Sequence, residues 1–262
     1  MNSRIVFAIV AAVVVAAPPP SDAATFLFIR HAQSTTNSGE AATPEEVLDP
    51  PLTALGEQQA LDLVGRLAGF DLTTIYVSDF QRTALTIAPT AADRGLTPIV
   101  EPAIREWSFG DGTQPLDVNA IVALFGTWLG GDTDARLPGV PDSESLDDLV
   151  ARVVPAYEEI FDRHKAEDGV VAIVGHGGSI GWVMPSFVDN VSLAFALSNN
   201  LPNTGVIEVV ADRAGRPQVA DWNGIPFTVD QPAVIPLPAT VFLLIGGLGG
   251  LAALRGRARA TS

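Results

Sequence analysis

Arg30-His31 ends an apolar run at residues 26–29, and Ser78 and Arg82 follow a β-rich run at 74–77. Glu106 comes soon after a third such run at 97–100, and His176 directly after the aliphatic run at 169–174. The chain carries three histidines, and two of them stand at the ends of such runs. Where strands alternate with helices, ligands collect beyond the carboxyl ends of the strands. Arg30, His31, Arg82, Glu106 and His176 are thereby aimed at one crevice. Their types suit phosphoryl transfer without a metal. The transferring group spreads negative charge over its equatorial oxygens, and the always-charged, two-pronged guanidiniums of Arg30 and Arg82 match that charge. A neutral imidazole attacks in line when its other ring nitrogen is tied to a carbonyl, and a second histidine steadies the charge. A carboxylic acid must then protonate the leaving oxygen and later activate water. Glu106, set among Ile104, Trp107 and Phe109, has the apolar surroundings that suit this task, with Glu101 as a nearby alternative.

The elements that must position these groups are legible in outline. Residues 25–29, 74–77, 97–100, 169–174, 206–210 and 218–221 read as strands. The run at 169–174 is nearly all aliphatic, the mark of a strand buried on both faces. Residues 53–70 show a helical period in Leu55, Leu61, Val64 and Leu67, with Thr53 as the N-cap. Further helices are expected at 80–94, interrupted or kinked at Pro89, at 116–129, at 146–165 and from Ser179 onward, with a loop at 38–51. Strands alternating with helices predict an α/β fold, a three-layer α/β/α sandwich around a mostly parallel sheet.

Composition narrows the function classes. A formal charge of -15 argues against a nucleic-acid partner, since phosphate backbones are held by clustered Lys and Arg. With no cysteine, disulfides, thiolate catalysis and Cys-ligated zinc are excluded. Two histidines and a carboxylate could hold a metal, but the adjacent arginines would repel a dication. Neither metal nor cofactor is implied; the partner is a small phosphorylated molecule.

Both ends of the chain read as targeting segments. Residues 1–4 form a short basic region, residues 5–17 an apolar stretch, and Ser21 and Ala23 place signal-peptide cleavage near Ala23. At the other end Pro236-Leu237-Pro238-Ala239 precedes an apolar stretch at 240–254 and then Arg255, Arg257 and Arg259. That order predicts a span with a cytoplasmic C-terminus and the main domain outside. It resembles the PEP-CTERM (VPLPA-type) sorting tail, and that resemblance implies processing by an exosortase. The plain alternative is a permanent C-terminal anchor at the inner membrane. The expected organisation is a signal peptide at 1–23, a folded domain at 25–222, a linker at 223–238, and a membrane segment with basic tail at 239–262. The location is periplasm, cell envelope or secreted.

Six blocks in order carry a further resemblance: "IRHAQSTTN", "LTALGEQQA", "VSDFQRTALT", "REWSFGDG", "DSESLDDLVARV" and "IVGHGGSI". Together they resemble the histidine phosphatase superfamily, in its phosphoglycerate mutase-like branch. The resemblance implies that His31 is the phosphorylated nucleophile, that Arg30, Arg82 and His176 complete a phosphate pocket, and that Glu106 is the proton donor. Asn37 aligns with a polar residue near the substrate. Ala32 stands where the family usually has glycine, and Gln33 where a glutamate is common; alanine is excluded only if that position needs positive φ. The acid-phosphatase branch, with Arg-His-Gly-x-Arg-x-Pro, fits less well. Residues 107–144 form the expected lid, where Arg136 is the one basic residue, which favours hydrolysis over mutase action. A non-catalytic envelope protein that keeps a phosphate pocket, and a mutase, are the competing readings. Ser78 reads equally as a helix N-cap or a phosphate contact, and Arg82 has Asp79 as a possible ion-pair partner. Glu144 reads as a structural or lid residue and His164 as a solvated residue at a helix end, favoured there by the macrodipole.

Overall fold

The computed structural model describes residues 24–40, 48–110 and 117–230. The expected signal peptide and the sorting tail with its apolar segment lie outside the described residues. So does nearly all of a second unit, Asp230–Ser262, that separates from the first by its contacts. Among the described residues no helix is long and apolar enough to cross a membrane.

The first unit is built on a sheet of seven strands: β1 (Thr25–Arg30), β2 (Leu72–Val77), β3 (Ile99–Val100), β4 (Val170–Gly175), β5 (Val206–Ala211), β6 (Pro217–Trp222) and β7 (Ile225–Pro226). Their order is β3-β2-β4-β1-β5-β6-β7. β1, β2, β3 and β4 run parallel, whereas β5, β6 and β7 extend the sheet from β1 in antiparallel pairs. The sheet is thus the expected α/β one, mixed in detail, with four parallel strands and an antiparallel extension. It also continues through β7, past the expected end of the domain at Trp222.

The helices are α1 (Thr35–Ser38), α2 (Ala54–Arg66), α3 (Gln81–Arg94), α4 (Val118–Leu129), α5 (Leu146–His164), α6 (Gly177–Phe187) and α7 (Leu193–Ser198). Alternation in β1 and β4 explains the layers. Phe26, Phe28, Val171 and Ile173 point into one core, with Val153, Tyr157 and Phe161 of α5 and Val183 and Phe187 of α6. Leu27, Ile29, Val170, Ala172 and Val174 point the other way, toward Leu63 of α2 and Ile87 and Ala91 of α3. Each such side chain, taken fully out of water, contributes about 1.5–3 kcal/mol.

Thr53 caps α2 as expected, its hydroxyl accepting from Gly56 N at 3.0 Å. The face that α2 buries differs from the expected one. Leu55 and Leu61 are 53% and 56% exposed, while Gly56, Ala60, Leu63 and Leu67 are buried. The cause is backbone contact: a Cβ on Gly56 would lie 2.0 Å from the carbonyl oxygen of Gln33. The helix start is pressed onto the loop after His31, and that fixes its rotation. α3 runs on through Pro89 without interruption. The carbonyl that loses its N–H partner there belongs to exposed Leu85, which faces solvent.

His164, expected in solvent, is 7% exposed. Its Nε2 lies 3.0 Å from the Tyr76 hydroxyl and its Nδ1 2.6 Å from Glu167 Oε2. This pairing joins the end of α5 to β2 and gives His164 a packing role.

Candidate active site

His31 stands one residue past β1, and the sheet itself fixes its main chain. His31 N donates to Gly175 O at 2.9 Å, Arg30 N to Gly205 O at 3.1 Å, and Thr204 N to Arg30 O at 3.0 Å. The Asn203 amide donates to His31 O at 2.8 Å. Thr204 holds φ at +55°, an outlier for a β-branched residue, with its hydroxyl tied to Arg66 at 3.0 Å. Local strain is therefore held in the turn that backs His31.

The His31 ring is 3% exposed, and its Nδ1 lies 2.6 Å from the carbonyl of Ala32. A carbonyl only accepts, so Nδ1 carries the proton and Nε2 keeps its lone pair. Burial, and then the charges of Arg82 and Arg30, pull the imidazole down to about 3, against the opposing pull of the Ala32 carbonyl. It is neutral at physiological pH.

Ala32 is fully buried, its N–H donating to Thr86 Oγ1 at 2.8 Å, and it is absent from the non-glycine residues of positive φ, Thr204 and Asn223. The alanine methyl is accommodated without backbone strain. Gln33 accepts from the Thr53 hydroxyl at 2.8 Å through Oε1, so it ties the nucleophile loop to the cap of α2.

Arg82 and His176 form a buried pair behind His31. Arg82 Nε donates to His176 Nδ1 at 3.2 Å, and the two imidazole rings lie 5.2 Å apart, edge to face. A guanidinium cannot accept, so His176 carries its proton on Nε2, which donates to Ser78 Oγ at 2.8 Å. The Ser78 hydroxyl also meets Thr83 Oγ1 at 3.1 Å and accepts from Phe80 N at 3.2 Å. Ser78 is thus neither a helix cap nor a group on the pocket wall; it holds His176. Burial first, and then Arg82 and His31, hold His176 well below the ordinary histidine range. Burial lowers Arg82 to about 10, with Glu106 and Asp49 opposing, which leaves it charged. Asp79 pairs with Arg105 rather than with Arg82.

Arg30 Nη1 donates to Leu201 O at 2.7 Å, while its buried Nε has no acceptor among the described residues. A Cβ on Gly177 would lie 2.8 Å from that Nε. Burial lowers the Arg30 guanidinium, and Glu106 opposes the shift. Glu106 sits not in an apolar setting but in a polar cradle at the start of α6. Its carboxylate accepts from Trp107 N at 2.9 Å, Ser179 N at 2.7 Å and Gly178 N at 3.0 Å. A Cβ on Gly178 would lie 2.6 Å from Glu106 Oε1. The two glycines that follow His176 therefore make room for the guanidinium and the carboxylate. Glu101 instead caps a short 3-10 turn.

A pocket of about 360 Å³ opens onto His31, Arg82, Glu106, Asn37, Ser34 and Arg105, with walls from Phe80, Trp107 and Phe109. Its lining does not include Arg30 or His176. Asn37 is exposed, in the capping box of α1, with Oδ1 3.4 Å from the Asn203 amide. The site thus gathers His31, Arg82, Glu106 and Asn37 around one cavity, with Arg30 and His176 packed against that group. Among the described residues no cluster of three His, Asp or Glu is placed to hold a metal.

Residues 26–224 match the Histidine phosphatase superfamily (branch 1). The chain belongs to this superfamily. It is 29% identical over 227 residues to a PE-PGRS family protein of Mycobacterium tuberculosis, a match covering 80% of this chain and 37% of that protein. This chain thus spans little more than a third of that relative. It is 27% identical over 164 residues to a probable phosphoglycerate mutase of Shigella dysenteriae, covering 61% of this chain and 73% of the relative. Two solved structures share the fold. A mycobacterial glucosyl-3-phosphoglycerate phosphatase complexed with VO3 aligns with a TM-score of 0.61 at 23% identity, over 76% of this chain and 99% of its own. A phosphoserine phosphatase mutant of Entamoeba histolytica aligns with 0.59 at 19%, over 77% and 98%.

Sequence reasoning missed the residues that act behind this superfamily site. Ser34, Phe80 and Arg105 line the pocket, and Asn203 and Thr86 hold the nucleophile loop. Adjacency was the available signal for Arg105, which precedes Glu106. The glycine pair after His176 was the signal for a close approach.

Proposed function

We propose that this protein is an exported phosphatase that hydrolyses phosphomonoesters through a phosphohistidine on His31, without a metal. The observation that carries the reading is the hydrogen bond from His31 Nδ1 to Ala32 O, which leaves Nε2 as a fixed nucleophile beside Arg82 on the pocket wall. Nε2 attacks phosphorus, the ester P–O bond breaks, and the leaving oxygen takes a proton from the Glu106 carboxyl. Glu106 carboxylate then accepts a proton from water as that water's oxygen attacks phosphorus. The P–N bond breaks and returns its electron pair to Nε2. Arg82, on the pocket wall, stabilises the equatorial oxygens in both steps, and the positive charge of Arg30 behind it adds to that field. His176 holds Arg82 in place, and Asn37 meets the leaving group.

Fixed guanidinium charge supplies the role that a metal would otherwise fill, which supports the metal-independent part of the reading. Export rests on the leader-like residues 1–23 and the tail at 234–259. Processing by signal peptidase and an exosortase is part of the same proposal, and the mass of the released protein tests it. The mutase reading is favoured by the names of several relatives, each a probable phosphoglycerate mutase. Against it, the chain has no Lys or Arg between Arg105 and Arg136, and Arg105 is committed to Asp79. Full-length protein assayed with a generic phosphomonoester in the presence of a chelator should release phosphate steadily. Transfer to a monophosphate acceptor that depends on added bisphosphate, without net release, would establish the mutase instead.

A further inference from the structure

Glu106 lies in an irregular segment, and one side chain on another element accounts for where it stands. Arg152, on α5, spends all its donors on this segment and on Glu144. Its Nε and Nη2 donate to the two oxygens of Glu144 at 2.6 and 2.7 Å. Its Nη1 reaches the carbonyls of Ala103 at 2.8 Å and Arg105 at 3.1 Å, and its Nη2 the carbonyl of Glu106 at 3.2 Å. Glu144 pins the other side: Oε2 accepts from Ser108 N at 2.9 Å, and its carbonyl accepts from Trp107 Nε1 at 2.7 Å. The bidentate pair is mostly buried, with side chains 24% and 18% exposed, which makes its geometry stiff. The backbone on both sides of Glu106 is therefore bound to a single ion pair.

We propose that Arg152 and Glu144 are positioning residues for proton transfer, holding Glu106 where its carboxyl meets the leaving oxygen. The inference rests on the reading of Glu106 as the proton donor. An ion pair that merely fastened a loop would serve stability alone. This one converges on the carbonyls of Ala103, Arg105 and Glu106 and on the N–H of Ser108. The peptide whose Glu106 carbonyl it holds carries the Trp107 N–H, one of three that grip the Glu106 carboxylate.

The test exploits the leaving group. p-Nitrophenolate departs as a stable anion and needs little help from an acid, whereas an alkoxide must be protonated. Full-length wild type, Arg152→Lys, Glu144→Gln and Glu106→Gln are compared on p-nitrophenyl phosphate and on an alkyl phosphate, with melting temperatures measured alongside. A displacement of the acid of about 1 Å predicts roughly a 100-fold loss of kcat/KM on the alkyl ester for either clamp variant. That constant ends at phosphorylation of His31 and leaves out the water attack that both esters share. The loss on the aryl ester should be much smaller. In a Glu106→Gln background Arg152→Lys should add almost nothing on the alkyl ester. Equal losses of kcat/KM on both esters, or losses that multiply with Glu106→Gln, would overturn the proposal and leave a purely structural clamp. Glu144→Gln keeps the size of the side chain and so serves if Arg152→Lys fails to fold. If Glu106→Gln itself shows no dependence on the leaving group, the acid reading fails, a result separate from failure of the clamp.

Discussion

The two halves of the site are held by different physics. His31 and Arg30 stand at the end of a central strand, and main-chain bonds from β4 and the 203–205 turn fix their backbone. Glu106 has no strand beneath it; the Arg152–Glu144 ion pair and the start of α6 hold it from side chains and helix N–H groups. Sheet register is shared by many residues, so the nucleophile is insensitive to most single changes around it. The acid depends on two side chains and one glycine. The halves should therefore fail differently.

Removing the nucleophile tests the strand half most severely. His31→Ala should lower turnover on the order of 10^4-fold or more on every ester, whatever the leaving group. Next comes the acid: Glu106→Gln should cost about 10^2- to 10^4-fold on alkyl esters and far less on p-nitrophenyl phosphate, read as kcat/KM, which ends at phosphorylation of His31. Glycine substitutions sharpen the contrast. Gly178→Ala puts a Cβ 2.6 Å from Glu106 Oε1, the end of a side chain that can swing aside. It should reduce alkyl turnover about tenfold while thermal unfolding barely moves. Gly56→Ala meets backbone at 2.0 Å instead. It should destabilise the protein by roughly 1–3 kcal/mol and depress both substrates together.

On turnover near neutral pH the smallest effect comes from proton binding. His31 is pulled down to about 3, so it stays neutral from pH 5 to 8 in an imidazole NMR titration of the ligand-free protein, and burial lowers His176 in the same direction. The unfolded chain binds these protons near pH 6.5 and the folded one does not. Their contribution to stability is therefore full above about pH 6.5 and is lost as pH falls toward 3. A flat melting temperature across that window would contradict the burial of both rings.

How much of this could be read from the sequence follows the same division. The strand half was plain, because an aliphatic run and a polar pair at its end report burial and direction locally. The Thr53 cap was equally local. α2 showed its leucines but not its rotation, because Gly56 against the Gln33 carbonyl is a contact between backbones with no periodic signature. The polar cradle of Glu106 and the His164–Tyr76 pairing were hidden for a related reason. Each joins residues far apart in the chain, 73 positions for Ser179 with Glu106 and 88 for Tyr76 with His164. Ala32 looked like a departure of consequence, yet its backbone needs no glycine.

The most direct measurement of the central claim is acid-avoiding mass spectrometry of protein quenched in alkali during turnover of a phosphomonoester. The account predicts one phosphoryl group on the peptide containing His31, stable in alkali, lost in acid, and absent from His31→Ala. Turnover with no such adduct, or with the phosphoryl group on any other residue, would contradict it.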